Sequence, residues 1–435
     1  MGKWTVQKLS DIATLVMGQS PTGETCNTVG VGYPLLNGPT EFGSYSPTPT
    51  QYTTSPSKFA QPGDLLFCVR GSTTGKMNWA DREYAIGRGL AAIRHKGGLV
   101  YQPLLRKIIE NNLKTILAQA TGSTFPNVSR QQLLDLEVAM PPAHEQLTIA
   151  NAIANLDAKV ELNHKQNQTL EQLAQTLFRQ WFVAFDFPVE AADATSPKLD
   201  NNPTLRLPPP PVKNVTFTSS AGYRSSGGEM VESELGLIPK GWRVGSIYSV
   251  AKVIYGASFA SKLFNEKAEG LPLIRIRDLK TFSPSFYTTE THSKSTLITA
   301  GNLLVGMDAE FTPTVWMGDD GLMNQRVCMF RPASSEVHEL FILHSIKPLL
   351  EFFERAKVGT TVIHLGKSDI DTFKLIVPPT NALQSFQRIA APIFQKLLNN
   401  AVQSRTLATL RDTLLPQLLS GRLTVRQAEE LVAQE

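Results

Sequence analysis

The chain contains one long internal repeat, and no other feature of the sequence restricts its fold as strongly. Trp4 lies in KWTVQKLSDIATLVMGQS, and Trp242 lies 238 positions later in GWRVGSIYSVAKVIYGAS. The same offset pairs Arg88 with Arg326, GYPLL with GLPLI, and GDLL with GNLL. After a shift of one residue, GSTFPNVSRQQLLDLEVAMPP aligns with GTTVIHLGKSDIDTFKLIVPP. An offset held through several motifs predicts two domains of one fold.

Each copy alternates short apolar runs with turn residues and ends at a Pro-Pro pair. The runs GDLLFCVRG, GLAAIRH, PLIRIRD and RVCMFRP favour strands, whereas LLRKIIENNLKTIL and LFILHSIKPLLEFFERA favour helices. We expect a mixed, mostly antiparallel sheet with a few helices in each copy. The predicted fold class is therefore α+β, with two homologous α/β domains, each followed by a long helix.

A heptad pattern of apolar residues follows each Pro-Pro pair, and such a pattern buries itself against another helix. Asparagine occupies the same seam position in both copies, where it would fix register. We predict that the two helices pack as an antiparallel coiled coil with pseudo-two-fold symmetry; the alternative is that each helix only caps its own domain. Pro392 should kink the second helix or delay its start. The predicted seam comprises Ile149, Ile153, Leu156, Val160, Asn163, Leu170 and Leu177 in the first helix, and Ile393, Leu397, Asn400, Leu407 and Leu414 in the second.

These features divide the chain into five segments. The first domain takes residues 1–142 and its spacer helix 143–182, and the second domain takes 241–379 and its helix 380–423. Between them, residues 183–240 include a run of four prolines and have little periodic apolar content. That composition predicts a linker or a surface excursion.

Composition excludes several classes of protein. Hydrophobic residues make up 42% and charged residues 18% of the chain, as in globular proteins, and the net charge of +4 permits a nucleic-acid partner without requiring one. No apolar run reaches the length of a membrane span, and the first residues lack a signal peptide core. Three widely separated cysteines predict neither a disulfide framework nor a metal site. We expect a cytoplasmic protein with no membrane partner.

A search for catalytic motifs finds none. The Pro-Pro pairs lack the Asn or Asp that DNA amino-methyltransferases place before them, and GKS at Gly366 lacks the earlier glycine of a phosphate-binding loop. Zinc-protease and serine-hydrolase motifs are also absent. The sequence predicts a protein with no catalytic residues, no metal and no cofactor of its own.

Two domains carried on two paired helices favour a reader of two separate DNA sites, about one helical turn or 34–36 Å apart. Bases are read by side chains with paired donors and acceptors, and phosphates by cations and backbone amides. For any one residue the alternative is a solvated or ion-paired surface, and matched arginines could equally serve the scaffold. The candidates are Arg70, Ser72, Thr73, Thr74, Lys76, Asn78, Arg88, Asn37 and Thr40 in the first domain, and Arg275, Arg277, Lys280, Asn324, Gln325 and Arg326 in the second. If Arg275 and Arg277 lie on a strand, they share one face.

Several motifs are familiar together: GSTFPNVS followed by LEVAMPP, LFRQWFVAFDF, SELGLIPKGW and LLPQLLSGRL. With them, the chain resembles the specificity (S) subunits of type I restriction–modification systems over nearly its full length. The resemblance implies two target-recognition domains that read a bipartite double-stranded DNA site, and helical spacers that dock two methyltransferase (M) subunits, with restriction (R) subunits joining. S-adenosylmethionine, ATP and Mg would then bind to the partner subunits. The alternatives are the recognition portion of a single-chain restriction–methylation enzyme and a free-standing DNA-binding regulator.

Overall fold

The computed structural model describes residues 4–43, 45–121, 126–187, 229–356, 363–419, 422, 423 and 427. Its contacts divide the chain into two compact units. The first unit comprises Met1–Asn163 and Gln403–Glu435, and the second comprises His164–Val402. Each unit therefore contains one copy of the repeat together with parts of both long helices. Among the described residues, no helix combines the length and the hydropathy that crossing a membrane requires.

The first unit is built on two sheets and a short strand pair. Four strands form one sheet in the order β2-β10-β7-β8, five form the other in the order β3-β5-β4-β9-β6, and β1 pairs with β11. Only β4 and β9 run parallel among the pairs of the described residues in this unit. The strands are β1 (Thr5–Lys8), β2 (Ala13–Met17), β3 (Cys26–Asn27), β4 (Tyr33–Leu36), β5 (Gln51–Thr53), β6 (Phe59–Ala60), β7 (Leu65–Cys68), β8 (Met77–Trp79), β9 (Tyr84–Ile86), β10 (Leu90–His95) and β11 (Glu137–Met140). The helices are α1 (Leu9–Ile12), α2 (Gln102–Asn111), α3 (Leu113–Ala118), α4 (Arg130–Leu134) and α5 (Ala143–Phe182).

The second unit repeats this topology. Its sheets have the orders β15-β23-β20-β21 and β16-β18-β17-β22-β19, β14 pairs with β24, and β17 runs parallel to β22. The strands are β12 (Met230–Ser233), β13 (Gly236–Pro239), β14 (Arg243–Ser246), β15 (Ala251–Tyr255), β16 (Phe264–Asn265), β17 (Leu271–Ile274), β18 (Tyr287–Thr288), β19 (Leu297–Ile298), β20 (Leu303–Gly306), β21 (Thr314–Val315), β22 (Gly321–Met323), β23 (Val327–Pro332) and β24 (Lys374–Val377). The helices are α6 (Glu339–Ala356), α7 (Lys367–Asp371) and α8 (Thr380–Leu419). The predicted fold class, two homologous α/β domains each followed by a long helix, is confirmed.

Strand β7 shows why the predicted strands are apolar along their whole length. Successive side chains of a strand point to opposite faces. Leu65 and Phe67 enter a core shared with helices, whereas Leu66 and Cys68 enter a separate core shared with β4, β9 and β10. Because both faces of the strand are covered, LLFC has no polar alternation.

The segment between the copies is described only in part. Residues 188–228, which include the four prolines, lie outside the described residues. The residues that precede the second copy form a hairpin, in which β12 pairs antiparallel with β13. The interpretation of 183–240 as a linker therefore includes at least one ordered hairpin.

The long helices run antiparallel to each other within each unit. In the first unit, Asp157 pairs with Arg411 at 2.5 Å, and the Asn163 amide donates to Gln403 Oε1 at 3.0 Å. The distance from the same amide to Ser404 Oγ is 3.2 Å. Partner numbers thus fall along α8 as they rise along α5, which is the antiparallel direction.

In the second unit the same contacts recur one repeat away. The Asn400 amide donates to Asn167 Oδ1 at 2.9 Å and to Gln166 Oε1 at 3.3 Å, and Asn167 donates to the Leu397 carbonyl. Asn163 and Asn400 are each only 1% exposed. Buried amides that bond across a helix pair hold the two helices in one register.

The remaining seam residues divide between the helix pair and the domain cores. Ile149 and Ile153 lie in the core of the first unit, and Ile393 and Leu397 lie in that of the second. The helices therefore also cover their own domains. Pro392 does not delay the second helix, which begins at Thr380. Half-buried positions of the seam are Leu156, Val160, Leu170, Leu177, Leu407 and Leu414.

Candidate nucleic-acid interface

In each unit, two parallel strands end side by side, and the loops that follow them lie close together. Leu36 at the end of β4 is in register with Ile86 at the end of β9, and the Gly87 amide donates to the Leu36 carbonyl at 2.8 Å. In the second unit, Ile274 and Met323 end β17 and β22 in the same register. Loops held by a rigid sheet are where proteins most often place binding residues.

In each unit, a glycine that follows β2 or its counterpart β15 lets that segment approach one of these loops closely. A Cβ atom on Gly18 would lie 2.1 Å from the Gly87 carbonyl oxygen, and one on Gly256 would lie 2.0 Å from that of Asn324. Real atoms do not approach so closely, so both positions require glycine. The two glycines are 238 residues apart, so the repeat preserves this close approach.

In the four-stranded sheet of the first unit, one arginine follows β7 and another precedes its neighbour β10. Cys68 faces Leu90 in the antiparallel pair of β7 and β10, and the Val69 amide donates to the Gly89 carbonyl at 2.9 Å. Arg70 follows Val69, Arg88 precedes Gly89, and both arginines are exposed. Arg70 forms an isolated bridge with Asn127, and its Nε donates to Asn127 Oδ1 at 3.4 Å.

The second unit has a carboxylate and an imidazole at two of the three equivalent positions. Asp308 replaces Arg70, and His364 replaces Asn127, whereas Arg326 matches Arg88. Arg326 Nε lies 3.4 Å from Asp308 Oδ2, and His364 Nδ1 lies 2.7 Å from Asp308 Oδ1. Asp308 and His364 form the same isolated bridge as the pair in the first unit. We call residues 70, 88 and 127 the first triad, and 308, 326 and 364 the second triad.

The other candidates of the first unit divide by exposure. Ser72, Lys76 and Thr40 are exposed, as is Asn37, whose amide donates to Gln51 Oε1 at 2.9 Å.

Three candidates in the same stretch instead hold the loop together. Asn78 is 3% exposed, and its amide donates to the Gly43 carbonyl while its oxygen accepts from the Trp79 amide. Thr74 is half-buried, and its hydroxyl lies 2.7 Å from the Gly71 carbonyl oxygen and 2.8 Å from that of Pro126. Thr73 is half-buried beside the Cys68 sulfur.

The strand predicted across PLIRIRD is too long. Strand β17 ends at Ile274, and Ile276–Leu279 forms a 3-10 turn, so Arg275 and Arg277 do not share a strand face. The Asp278 carboxylate stabilises the turn, because it accepts the Arg275 amide at 2.9 Å and pairs with the Arg275 guanidinium at 3.2 Å. The same guanidinium carbon lies 4.2 Å from the centre of the Phe286 ring.

The remaining candidates of the second unit lie on its surface or at its edge. Lys280 pairs with Glu310 at 2.5 Å. Asn324 is half-buried, and its side-chain oxygen accepts the Arg326 amide at 3.2 Å. Arg277 and Gln325 are exposed.

Sequence reasoning overlooked three members of the triads: Asn127, Asp308 and His364. Each lies far from its partner along the chain, 57 positions for Arg70 and Asn127 and 56 for Asp308 and His364. The repeat alignment pairs Asn127 with His364, which is the one signal that could have drawn attention to them. Among the described residues, no group of three or more His, Cys, Asp or Glu side chains is placed to hold a metal ion.

Comparison with known proteins gives one consistent result. The family profile described as the type I restriction modification DNA specificity domain matches residues 1–172 and 239–411. The chain is 25% identical over 407 residues to the HindI specificity subunit of Haemophilus influenzae, covering 84% of this chain and 88% of that protein. It is 25% identical to the MjaIX specificity subunit of Methanocaldococcus jannaschii, covering 98% and 94%.

A solved structure supports the fold. The type I restriction–modification S subunit of M. genitalium has a TM-score of 0.55 to this chain, with 15% sequence identity and 96% of each chain covered. The family profile matches both copies of the repeat, and each copy has the same strand order. The alignment with the MjaIX subunit covers nearly the full length of both proteins. The chain therefore belongs to the type I restriction–modification DNA specificity family and is a DNA-binding specificity subunit with two recognition domains.

Proposed function

We propose that the two recognition domains read the two halves of a bipartite, asymmetric site in double-stranded DNA. One observation carries this proposal: both units have the same strand order and the same loops at the ends of two parallel strands, but the side chains on those loops differ. A shared scaffold with different polar side chains is what two different half-sites require, because base edges are distinguished by their donors and acceptors.

Exposed apolar side chains on the long helices support a docking role for them. Four apolar side chains on them remain 40–47% exposed: Leu147, Leu162, Ile389 and Val402. We propose that these helices dock two methyltransferase subunits and that restriction subunits join the complex. The chain itself is then non-catalytic and acts in the cytoplasm, and S-adenosylmethionine, ATP and Mg bind to its partners.

Co-expression with a candidate type I methyltransferase subunit tests the assembly. We expect a stable complex of two methyltransferase subunits with one copy of this chain, measured by light scattering. Methylome sequencing of the same cells should show one bipartite motif with an unread gap. The chain expressed alone is the control and should leave the DNA unmethylated.

Two outcomes would contradict the proposal. DNA binding without any methyltransferase complex would favour a free-standing regulator. A complex that methylates a continuous motif would exclude the division of the site between two domains.

A further inference from the structure

In each triad, the Nε atom of one arginine lies 3.4 Å from a side-chain oxygen, in a hydrogen bond in the first triad and in an ion pair in the second. In the first triad, Arg70 Nε donates to the Asn127 side-chain oxygen at 3.4 Å. In the second, Arg326 Nε lies 3.4 Å from Asp308 Oδ2, and the other oxygen of that carboxylate bonds His364. This arginine lies two positions after the end of β7 in the first unit and directly before β23 in the second.

A contact at Nε orients the guanidinium and leaves its two terminal nitrogens available as donors. The group is planar, and its two terminal nitrogens form a fork of parallel donors. When a neighbour occupies Nε, the fork at Nη1 and Nη2 remains for an outside acceptor, and less side-chain entropy is lost on binding. The two acceptors of guanine in the major groove, O6 and N7, fit that fork.

We propose that Arg70 and Arg326 each read one guanine, Arg70 in the half-site of the first domain and Arg326 in that of the second. This inference rests on the proposed function. Asn127 and Asp308 are positioning residues that orient the forks. Arg70 aligns with Asp308 in the repeat, whereas Arg326 aligns with Arg88. The two domains therefore present their guanidinium forks from different positions of the same fold.

The net charge of each triad distinguishes Arg88 from Arg70 and Arg326, the two arginines proposed to read guanine. The first triad carries two cations and a neutral amide, whereas in the second triad Asp308 balances Arg326. The backbone amide of Arg88 donates to Ser20 Oγ at 3.2 Å, and its side chain is exposed. Arg88 is therefore assigned to a phosphate, which a cation binds without reading sequence.

Binding of modified duplexes to the assembled methyltransferase complex tests the assignment. Once the motif is known, 7-deazaguanine, which lacks the N7 acceptor, replaces each guanine in turn. For the wild-type complex we expect one position in each half-site where this replacement weakens binding roughly 5- to 150-fold. R326K keeps the charge but loses the fork, and should abolish that sensitivity in the second half-site only.

Companion variants separate reading from positioning. R70K should abolish the sensitivity in the first half-site only, and D308N should reduce it in the second. R82K and R331K, which change exposed arginines outside both triads, should leave both half-sites unchanged. In R326Q and R70Q, which remove the charge, an equal loss of affinity for all sequences with a weaker salt dependence would indicate phosphate contacts and overturn the assignment.

Three further results would also decide the question. A motif with no guanine on either strand of one half-site would overturn the assignment for that domain. Unchanged base preference in both lysine variants would overturn it for both domains while leaving the proposed function intact. A wild-type complex without any bipartite preference would overturn the proposed function, and the guanine assignment with it.

Discussion

At the residue scale, two histidines of the second unit have lowered pKa values: His338, which is buried, and His344, which is half-buried. Burial lowers the pKa of His338 to about 4, and burial together with Lys347 and Arg179 lowers that of His344 to about 4. The Nδ1 atom of His338 accepts the Leu340 amide at 3.1 Å, which requires an unprotonated nitrogen. Glu339 lies 3.9 Å from the same nitrogen, but burial dominates.

These shifts predict a loss of stability at mildly acidic pH. Between pH about 6.5 and about 4, the unfolded chain binds protons that the folded chain excludes, so stability present above pH 6.5 is lost as the pH falls. Lowering the pH from 7 to 5 should cost about 2 kcal/mol at His338. Urea unfolding of wild type and H338Q at several pH values measures this. H338Q should show a shallower pH dependence, and H144Q, at an exposed histidine, should match the wild type.

Single residues also show which features of the site could be predicted from the sequence and which could not. The repeat predicted that Arg88 and Arg326 occupy the same place, because identical residues align. It did not predict that Arg326 pairs with Asp308, because the partner of each arginine lies on a loop that is distant in sequence and close only in the fold. Asn78 and Thr74 carry donors and acceptors that could read bases, but the fold uses them for hydrogen bonds inside the domain.

At the scale of elements, the two ends of the helix pair use different chemistry. Asp157 and Arg411 pair at 2.5 Å in the first unit, and each side chain is 20% exposed. The repeat places Phe394 and Ala174 at the equivalent positions of the second unit, where both are buried in the core. An ion pair in one unit thus corresponds to apolar packing in the other.

A double-mutant cycle on this pair measures what the ion pair contributes. R411A should destabilise the protein by about 1–3 kcal/mol, because it leaves the Asp157 carboxylate partly buried without this partner. Combining it with D157F reproduces the pair found in the second unit and should recover at least half of that loss. Urea unfolding gives the values, with K396A on an exposed part of α8 as the control. If D157F and R411A are additive, the two residues are not coupled.

The helices were more predictable than the sheets for a physical reason. A heptad pattern is local and repeats over 40 residues in each helix, so the seam and its asparagines could be located from the sequence. The sheets contain several strands of two or three residues, and their order joins strands that are distant in the chain, such as β2 with β10. Such pairings depend on tertiary contacts, which no local pattern records.

At the scale of the whole molecule, the modular arrangement can be tested by exchange. Replacing residues 1–142 with the corresponding domain of a related subunit should change one half of the methylation motif and leave the other half and the gap unchanged. The graft must keep its contacts with Ile149 and Ile153 of α5, and with Leu415 and Leu418 of α8, because these residues complete the core of the first unit. Methylome sequencing measures the motif, and a change in both halves would exclude modular reading.

The contribution of α8 to the first core has a consequence for synthesis. Leu415 and Leu418 lie in the same hydrophobic cluster as Leu9 and Ile12 of α1, about 400 positions earlier in the chain. While the ribosome is still translating the second copy, the first domain has an open apolar face where α8 will later pack. We infer that this nascent domain depends on chaperones until translation has passed Leu418, and that messages cut short before this codon yield a product prone to aggregation.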